Sequence, residues 1–227
     1  MGNMIHQECH YSAGTQYKYP QGLYEGHRKN NQPHGYGIMK YTYGAVYEGD
    51  FKEGFMHGYG TFESTDGDIY VGNWKDSMRH GMGTQKFANG NIYEGNFVDN
   101  KKSGNGIFRF ANGDIYDGEW KNNTRYGIGT FRYANGDVYK GKWNNNKAEG
   151  IGTYKFANGN VYEGEFRNNL CNGPGKLIKS DGSCYTGQWK DGKRSGYGFT
   201  KSSDGIVSGY WQDNKLVREE NVTGWKE

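Results

Sequence analysis

A tyrosine returns every 23 residues along this chain, and a glycine follows each of them two positions later. The series comprises Tyr24, Tyr47, Tyr70, Tyr93, Tyr116, Tyr139, Tyr162 and Tyr185. A fixed period of this length is typical of repeat architectures, in which each unit buries its apolar face only by stacking on the next. We therefore expect a chain that binds partners along its length and lacks a closed globular core.

Residues 116–138 show how one period is expected to fold. Tyr116, Gly118 and Trp120 alternate with charged residues, a period of two that predicts a strand with its rings on one face. A polar turn is predicted at residues 122–126, a second strand at residues 127–133, and a tight turn at Asn135 and Gly136. Each period is thus predicted to be one β-hairpin.

Two further features recur at fixed positions of the 23-residue period. A Gly-x-Gly pair occurs in every period, and a second aromatic residue lies at Phe51, Trp74, Phe97, Trp120, Trp143, Phe166 and Trp189. Glycine is normally costly inside a strand, but a ring from the neighbouring strand can lie flat over a residue without a side chain. With 20 Tyr, 6 Trp, 39 Gly and a mean hydropathy of −1.04, we expect aromatic columns in place of an aliphatic core.

These residues resemble the MORN repeat (membrane occupation and recognition nexus). The run Tyr-Glu-Gly-Asn-Phe at residues 93–97, followed by Gly104, Gly106 and the pair Asn112 and Gly113, is similar to the family motif. The resemblance implies an all-β fold, a single-layer twisted antiparallel sheet of stacked β-hairpins with a groove along one side. Strands about 4.8 Å apart place equivalent residues of successive periods about 10 Å apart, so we expect an elongated solenoid.

The resemblance covers residues 24–211, with eight clear repeats and a degenerate ninth. Residues 1–23 are expected to form a cap or partial strand, and residues 212–227 a C-terminal cap or tail. The pattern is broken by Arg28 in the first repeat and by Pro174, Leu177 and Lys179 in the seventh. Because proline cannot donate to a strand ladder, Pro174 predicts an edge, a bulge or a bend.

The histidines do not form a convincing metal site. His34, His57 and His80 lie one period apart, but a pitch of about 10 Å is too long for three side chains to share one zinc ion with bonds of about 2.1 Å. We interpret them as solvated turn residues. No nucleophile, base and orienting acid form a group either, so we expect a non-enzymatic protein without a metal or a cofactor.

The cysteines and the N-terminus carry weak signals. Cys9, Cys171 and Cys184 lack metal-type spacing and are interpreted as free thiols. Gly2 is a poor candidate for acylation, because His6 stands where the motif needs Ser or Thr.

Charge and hydropathy restrict the partners. The 28 basic and 25 acidic residues are interleaved, unlike the one-sided basic field of a nucleic-acid binder, so no nucleic acid is expected. No apolar run reaches the length of a membrane span, about 20 residues, and no secretory leader is visible. We expect a soluble, cytoplasmic protein and leave homodimerisation open. The resemblance to the MORN family implies in addition an association with the cytoskeleton or a cilium.

The aromatic columns are the predicted partner-binding surface, because an exposed aromatic face would exceed the few hundred Å² of apolar patch that soluble monomers usually show. Aromatic residues also dominate interface energetics. The alternative is that the rings only pack against one another and against glycines. The predicted partner-binding residues are Tyr47, Tyr70, Trp74, Tyr93, Phe97, Tyr116, Trp120, Tyr139, Trp143, Tyr162 and Trp189.

Two charged rows are interpreted as cross-strand ion pairs. The acidic row contains Glu25, Glu48, Glu94, Asp117 and Glu163, and the basic row Lys29, Lys52, Lys75, Lys121, Arg167 and Lys190.

Two functions are consistent with these features. The first is a scaffold or adaptor that holds a helix or an extended segment of a protein partner in the aromatic groove. The family resemblance implies it, because MORN-only proteins include components of cytoskeletal assemblies such as ciliary radial-spoke heads. The alternative is a module that binds phosphoinositides or a membrane surface, which the family name suggests. The sequence argues against it, because no cluster of about four to eight basic residues stands without acidic neighbours.

Overall fold

The computed structural model describes residues 14–220. These residues form β-strands joined by turns and contain no helix, and therefore none that could cross a membrane. Contacts divide the chain into two compact units, Met1–Ala111 and Asn112–Glu227. The acylation candidate Gly2 and the thiol of Cys9 lie outside the described residues, whereas Cys171 and Cys184 are free thiols as predicted.

In the first unit, each strand pairs antiparallel with the next in chain order. The strands are β1 (Gln16–Tyr19), β2 (Gly22–Lys29), β3 (Gln32–Tyr41), β4 (Val46–Lys52), β5 (Phe55–Glu63), β6 (Ile69–Lys75), β7 (Met78–Lys86), β8 (Ile92–Val98) and β9 (Lys101–Arg109).

The second unit repeats this arrangement. Its strands are β10 (Ile115–Lys121), β11 (Thr124–Arg132), β12 (Val138–Asn144), β13 (Lys147–Lys155), β14 (Val161–Arg167), β15 (Leu170–Ile178), β16 (Cys184–Lys190), β17 (Lys193–Ser202), β18 (Gly205–Gln212) and β19 (Lys215–Glu220). The prediction of an all-β antiparallel fold built from consecutive 23-residue hairpins is confirmed.

The turn inside each hairpin is shorter than predicted. Asn122 and Asn123 have φ values of 49° and 68°, and this pair of positive values makes a two-residue type I′ turn. Strand β11 therefore begins at Thr124, and the prediction of a turn over residues 122–126 is wrong at its C-terminal end. Asparagine tolerates the left-handed conformation better than other non-glycine residues, which explains its frequency at these turns.

A bulge separates the two halves of each hairpin. Between the pairs Gly118–Gly129 and Trp120–Arg125, β10 has one residue and β11 has three. Gly127 lies in this bulge with a φ of +62°. The side chain of Glu119 fills the bulge, where Oε1 accepts a hydrogen bond of 2.8 Å from the N–H of Ile128.

Pro174 occupies the corresponding bulge of β15, between the pairs Gly164–Gly175 and Phe166–Cys171. Because the N–H at this position does not join the ladder to the preceding strand, proline is accommodated without a lost ladder bond. Strand β15 is paired on both sides, so Pro174 is not on an edge strand. Of the three alternatives that the sequence left open, the structure shows the bulge.

Successive hairpins are joined by a second type of turn. The N–H of Gly136, which has a φ of +93°, donates to the carbonyl of Tyr133 at 3.0 Å, and the N–H of Tyr133 donates to the carbonyl of Asp137 at 2.9 Å. The carboxylate of Asp137 then accepts 2.7 Å from the N–H of Ala157, in the equivalent turn of the next repeat. Neighbouring repeats are thus linked through their turns as well as their strands.

Candidate functional site

The periodic tyrosines are buried structural residues. The side chain of Tyr139 is 1% exposed, and its hydroxyl donates a hydrogen bond of 3.0 Å to the carbonyl oxygen of Lys142, beside the bulge. The ring lies over glycine, as predicted: a Cβ atom at Gly152 would be 2.7 Å from the ring of Tyr139. Burial raises the pKa of this phenol well above its ordinary value, so the hydroxyl stays a donor.

The second aromatic residue of a repeat packs between the periodic tyrosines of two neighbouring repeats. Trp143 meets Tyr116 and Tyr139 edge to face, with ring centroids 5.3 Å and 5.2 Å apart, and its indole N–H donates to the carbonyl of Gly129 at 3.2 Å. Such T-shaped pairs are the preferred geometry of packed rings. We call the sheet face that carries these columns the tyrosine face.

The structure brings the predicted partner-binding residues together, but it buries them. All eleven are at most 8% exposed: Tyr47, Tyr70, Trp74, Tyr93, Phe97, Tyr116, Trp120, Tyr139, Trp143, Tyr162 and Trp189. The expectation that the columns remain exposed in a single layer is wrong, because glycines let the rings lie close to the backbone and cover one another. Their role in partner binding stays a prediction.

A second set of rings lies on the tyrosine face near the turns that join the repeats. These rings pack in pairs, with centroid separations of 4.5 Å for Phe131 and Tyr133 and 4.6 Å for Tyr154 and Phe156. We call this set the ring ladder; it comprises Phe62, Phe87, Phe108 and Phe110 in the first unit and Phe131, Tyr133, Tyr154 and Phe156 in the second. Some of its area is accessible, since Phe156 is 37% exposed.

Cationic side chains lie over rings of the ladder and of the aromatic columns, and these contacts were not predicted from the sequence. The Lys102 ammonium lies 4.3 Å from the ring centroid of Phe108, and the Arg125 guanidinium lies 4.6 Å from that of Trp143. Arg79 and Arg194 hold the same position in their repeats. Burial lowers the pKa of Lys102 to about 8, with a further contribution from the charge of Arg79. The available signal was the fixed spacing of these cations, nine residues after a periodic tyrosine.

In each unit, a cavity lies on the tyrosine face. The cavity of the first unit measures about 430 Å³, and its lining includes Tyr43, Phe62, Asp66, Asp68, Tyr70, Trp74 and Arg79. The cavity of the second unit measures about 460 Å³, and its lining includes Phe156, Tyr162, Leu177, Lys179, Tyr185, Trp189 and Arg194. Four of the predicted partner-binding residues, Tyr70, Trp74, Tyr162 and Trp189, therefore line cavities.

The charged rows on the opposite face do not pair as predicted. The register places Lys52 opposite Phe55 and Lys121 opposite Thr124, because the basic row lies at strand ends beside the type I′ turns. Glu48 stands opposite Thr61 and accepts a hydrogen bond from the Tyr36 hydroxyl. Glu94 does have a basic neighbour, since Arg109 lies 3.8 Å away, but Arg109 is not part of the basic row.

The three histidines lie in strands, so the prediction of turn positions is wrong. Nδ1 of His57 is 3.6 Å from the Asp76 carboxylate, and Nδ1 of His80 is 3.4 Å from that of Asp99. Each acid stands in the type I′ turn of the following hairpin. The register shift of the bulge leaves these side chains room to approach that turn.

The model of the MORN repeat matches eight consecutive segments, residues 24–44, 47–69, 70–92, 93–115, 116–138, 139–161, 162–184 and 185–207. The chain belongs to the MORN repeat family. Every matched segment of this MORN array begins on a periodic tyrosine, the residue whose hydroxyl closes the bulge of its own hairpin. No curated protein sequence matches the chain.

Solved structures similar to this MORN protein include TCP domains. The TCP10 domain of Danio rerio CPAP has a TM-score of 0.50 and 12% identity, over 92% of this chain and 100% of that chain. The same domain in complex with a peptide of Danio rerio STIL gives 0.49 and 10%, over 92% and 99%. The TCP domain of Drosophila melanogaster SAS-4 in complex with a proline-rich motif of Ana2 gives 0.44 and 13%, over 68% and 85%. At these identities the likeness concerns the fold alone.

Proposed function

We propose that this MORN protein is a non-enzymatic scaffold that binds an extended or helical segment of a protein partner on its tyrosine face. The observation that carries the proposal is the combination of cavities, accessible ladder rings and ring-bound cations above a rigid floor of packed tyrosine and tryptophan. Aromatic residues and arginine are the side chains that most often dominate protein interfaces.

The floor suits a binding role because it is held in place before a partner arrives. The tyrosine hydroxyls and indole N–H groups are already bonded to backbone carbonyls, so a partner pays no cost for ordering them. The accessible residues at the edges, such as Tyr43 at 62% exposure and Phe156, then supply contact area. In this proposal the buried columns shape the groove, and the ladder rings and cations make most of the contact.

A cytoskeletal or ciliary setting is proposed from the family resemblance. It predicts that the full chain, expressed at its natural level, co-localises with such an assembly and that the localisation depends on the same surface residues as partner binding.

Site-specific photo-crosslinking tests the proposal. A benzophenone amino acid placed at Tyr43 or Phe156 is expected to crosslink a protein partner in cells. Matched controls on the opposite face are Tyr59, 60% exposed, and Ile151, 68% exposed. If Tyr59 and Ile151 gave the protein crosslinks while Tyr43 and Phe156 gave none, the assignment of the tyrosine face would be wrong.

A further inference from the structure

The cavity of the second unit lies where the ring ladder is interrupted. The ladder positions of the preceding two repeats hold Phe131 and Tyr133, then Tyr154 and Phe156. The corresponding positions of the next two repeats hold Leu177 and Lys179, then Thr200 and Ser202, and all four residues line the cavity. The space that rings fill elsewhere in this unit is therefore open here.

The floor of this cavity is aromatic. Tyr162 packs edge to face on Trp189, with ring centroids 5.1 Å apart, and Tyr185 packs in the same way on Trp189 and Trp211, at 5.4 Å and 5.3 Å. A volume of about 460 Å³ lies within the range of about 300–1,000 Å³ that is typical of ligand sites. A ring entering this space would meet edges and faces of other rings, as the ladder rings do.

The cavity is also cationic. The Arg194 guanidinium lies 4.2 Å from the ring centroid of Trp211, and its Nη2 donates 2.8 Å to the carbonyl of Asn214. Lys179 is exposed at the edge, where its charge also acts on Asp181 outside the cavity. No acidic residue is among those that line this cavity, in the part of the chain that the structure describes.

The cavity of the first unit provides a contrast within the same protein. There, Asp66 and Asp68 line the cavity together with Arg79, and Gln85 accepts a hydrogen bond of 2.8 Å from Arg79 Nη1. Arg79 and Arg194 each donate to a backbone carbonyl, at Asn100 and Asn214, but only Arg79 has carboxylates in the lining of its cavity. The two cavities have the same place in the repeat but different charge.

We propose that the cavity of the second unit binds an aromatic side chain of a partner segment that carries carboxylates next to that side chain. The ring completes the interrupted ladder above Trp189, and the carboxylates reach Arg194 and Lys179. Cys171, also in the lining, does not oppose an anion, because burial raises the pKa of its thiol to about 11 and keeps it neutral. This inference rests on the proposed function and specifies the partner chemistry at one place on the tyrosine face.

A short peptide tests the inference on the full chain. The probe is acetyl-Glu-Asp-Phe-Asp-Glu amide, compared with the same peptide carrying Ala in place of Phe and with one carrying Lys in place of the acids. We expect the Phe peptide to shift the indole N–H resonances of Trp189 and Trp211 and to leave that of Trp74 unchanged. Each altered peptide should bind about tenfold more weakly or worse.

Variants that place a ring at the open ladder positions test directly whether the peptide binds there. Thr200→Phe places the protein's own ring at the ladder position and should abolish the shifts, whereas Ile151→Phe adds a ring on the opposite face and should not. Ser202→Tyr, at an exposed position, fills the neighbouring ladder site if Thr200→Phe does not fold. Arg194→Gln should weaken binding of the acidic peptide about tenfold, and Lys155→Gln, on the opposite face, should leave it unchanged.

Three results would overturn the inference. They are equal binding of the Phe and Ala peptides, full binding by a folded Thr200→Phe or Ser202→Tyr variant, and Arg194-dependent binding to vesicles that contain phosphatidylinositol bisphosphate without peptide binding. The last result would assign the cavity to a lipid headgroup. Protein crosslinks from Tyr43 would survive any of these results, so failure of this inference is distinguishable from failure of the proposed function.

Discussion

The hydroxyl of the periodic tyrosine explains why phenylalanine does not serve at this position. A phenylalanine ring could cover the glycines equally well, but the carbonyl beside the bulge would lose its donor. Tyr70, Tyr93, Tyr116, Tyr162 and Tyr185 all donate to the carbonyl three residues ahead, as Tyr139 does. The residue thus combines packing with satisfaction of a backbone group that the bulge removes from the ladder.

Tyr139→Phe tests this role. The substitution leaves the carbonyl of Lys142 without its 3.0 Å hydrogen bond, so we expect the free energy of unfolding to fall by about 1–3 kcal/mol. Urea unfolding followed by tryptophan fluorescence measures the change. Tyr126→Phe is the matched control, since the Tyr126 side chain is 41% exposed, and it should be neutral. Equal stability of the two variants would contradict a structural role for the hydroxyl.

The half-buried cation Lys102 gives the protein a pH-dependent stability. Its pKa in the folded protein is about 8, against about 10.4 for an unfolded chain. Between these values the unfolded chain binds one proton more than the folded protein, so this residue makes stability rise as the pH increases from about 8 to 10. Below pH 8 both states are protonated, and the cost of burying the charge is constant.

Lys102→Met isolates this effect, because Met56 holds the same position in an earlier repeat. We expect the variant to be more stable than the wild type at pH 7 and its advantage to shrink toward pH 10. The measurement is thermal and urea unfolding of both proteins across this range. Parallel stability profiles would show that the folded protein does not lower the pKa of Lys102.

Different side-chain hydrogen bonds stabilise the two kinds of turn at the ends of each hairpin. At the type I′ end, the Asn146 side chain accepts a hydrogen bond of 2.9 Å from the N–H of Arg125 in the preceding repeat. At the other end, Asp137 accepts from the N–H of Ala157 and, at 2.8 Å, from the Tyr154 hydroxyl in the following repeat. Strand pairing and turn contacts thus link the same neighbouring repeats.

Asp137→Ala is expected to lower the free energy of unfolding by about 1–3 kcal/mol, because it removes the acceptor of both bonds. Asp137→Asn is the matched control: Asn160 holds the same position and accepts 3.0 Å from the N–H of Ser180, so an amide suffices. Equal losses for both substitutions would show that charge, not hydrogen bonding, matters here.

The carboxylate of Asp137 also predicts that the wild type and the Asp137→Asn variant differ in how their stability changes at acidic pH. The hydrogen bond from Ala157, followed by that from Tyr154, lowers the pKa of Asp137, so its stabilising contribution is present above about pH 4 and is lost as the pH falls through the lower folded value. Unfolding measured between pH 2 and 5 should show this loss in the wild type and not in Asp137→Asn.

Periodic elements could be predicted from the sequence, and the register shift could not. Alternation around Tyr116 and Trp120 indicated a strand, and the glycines indicated close ring contact, because both signals depend on neighbours along one strand. The bulge at Gly127 and the early start of β11 at Thr124 depend on which residues stand opposite. The same shift explains the errors concerning the histidines and the basic row.

The burial of the columns was missed for a related reason. A flat sheet would leave its rings exposed, and the sequence did not show that Trp143 meets tyrosines from two repeats. The cations at Arg125 and Lys102 are polar in the sequence, so only their contact with rings makes them candidate site residues. The alternation of residues predicted rings on one face of the sheet, but the packing between repeats decides which of them remain accessible.

At the scale of the whole molecule, charge argues against the membrane alternative. A basic residue near an anionic bilayer contributes about 1 kcal/mol, and the attraction is screened over about 8 Å at physiological salt. Here the net charge is only +3, and several cations are held against rings. We expect no appreciable co-sedimentation of the full, unlipidated chain with phosphoinositide-containing vesicles at about 150 mM salt. Salt-resistant co-sedimentation would contradict this prediction and favour the lipid-binding alternative.

The bonds between turns also restrict how such a chain can change in length. The side chain of Asp137 accepts a hydrogen bond from the N–H of Ala157, and that of Asn160 accepts one from the N–H of Ser180. In each pair the donor lies 20 residues after the acceptor in the sequence. We expect gene duplication or loss of one whole period to leave every acceptor with a donor. An insertion of a few residues within a period would instead displace one turn from the next. We therefore expect the array to lengthen or shorten by whole 23-residue periods. A longer or shorter relative should differ from this chain by complete hairpins.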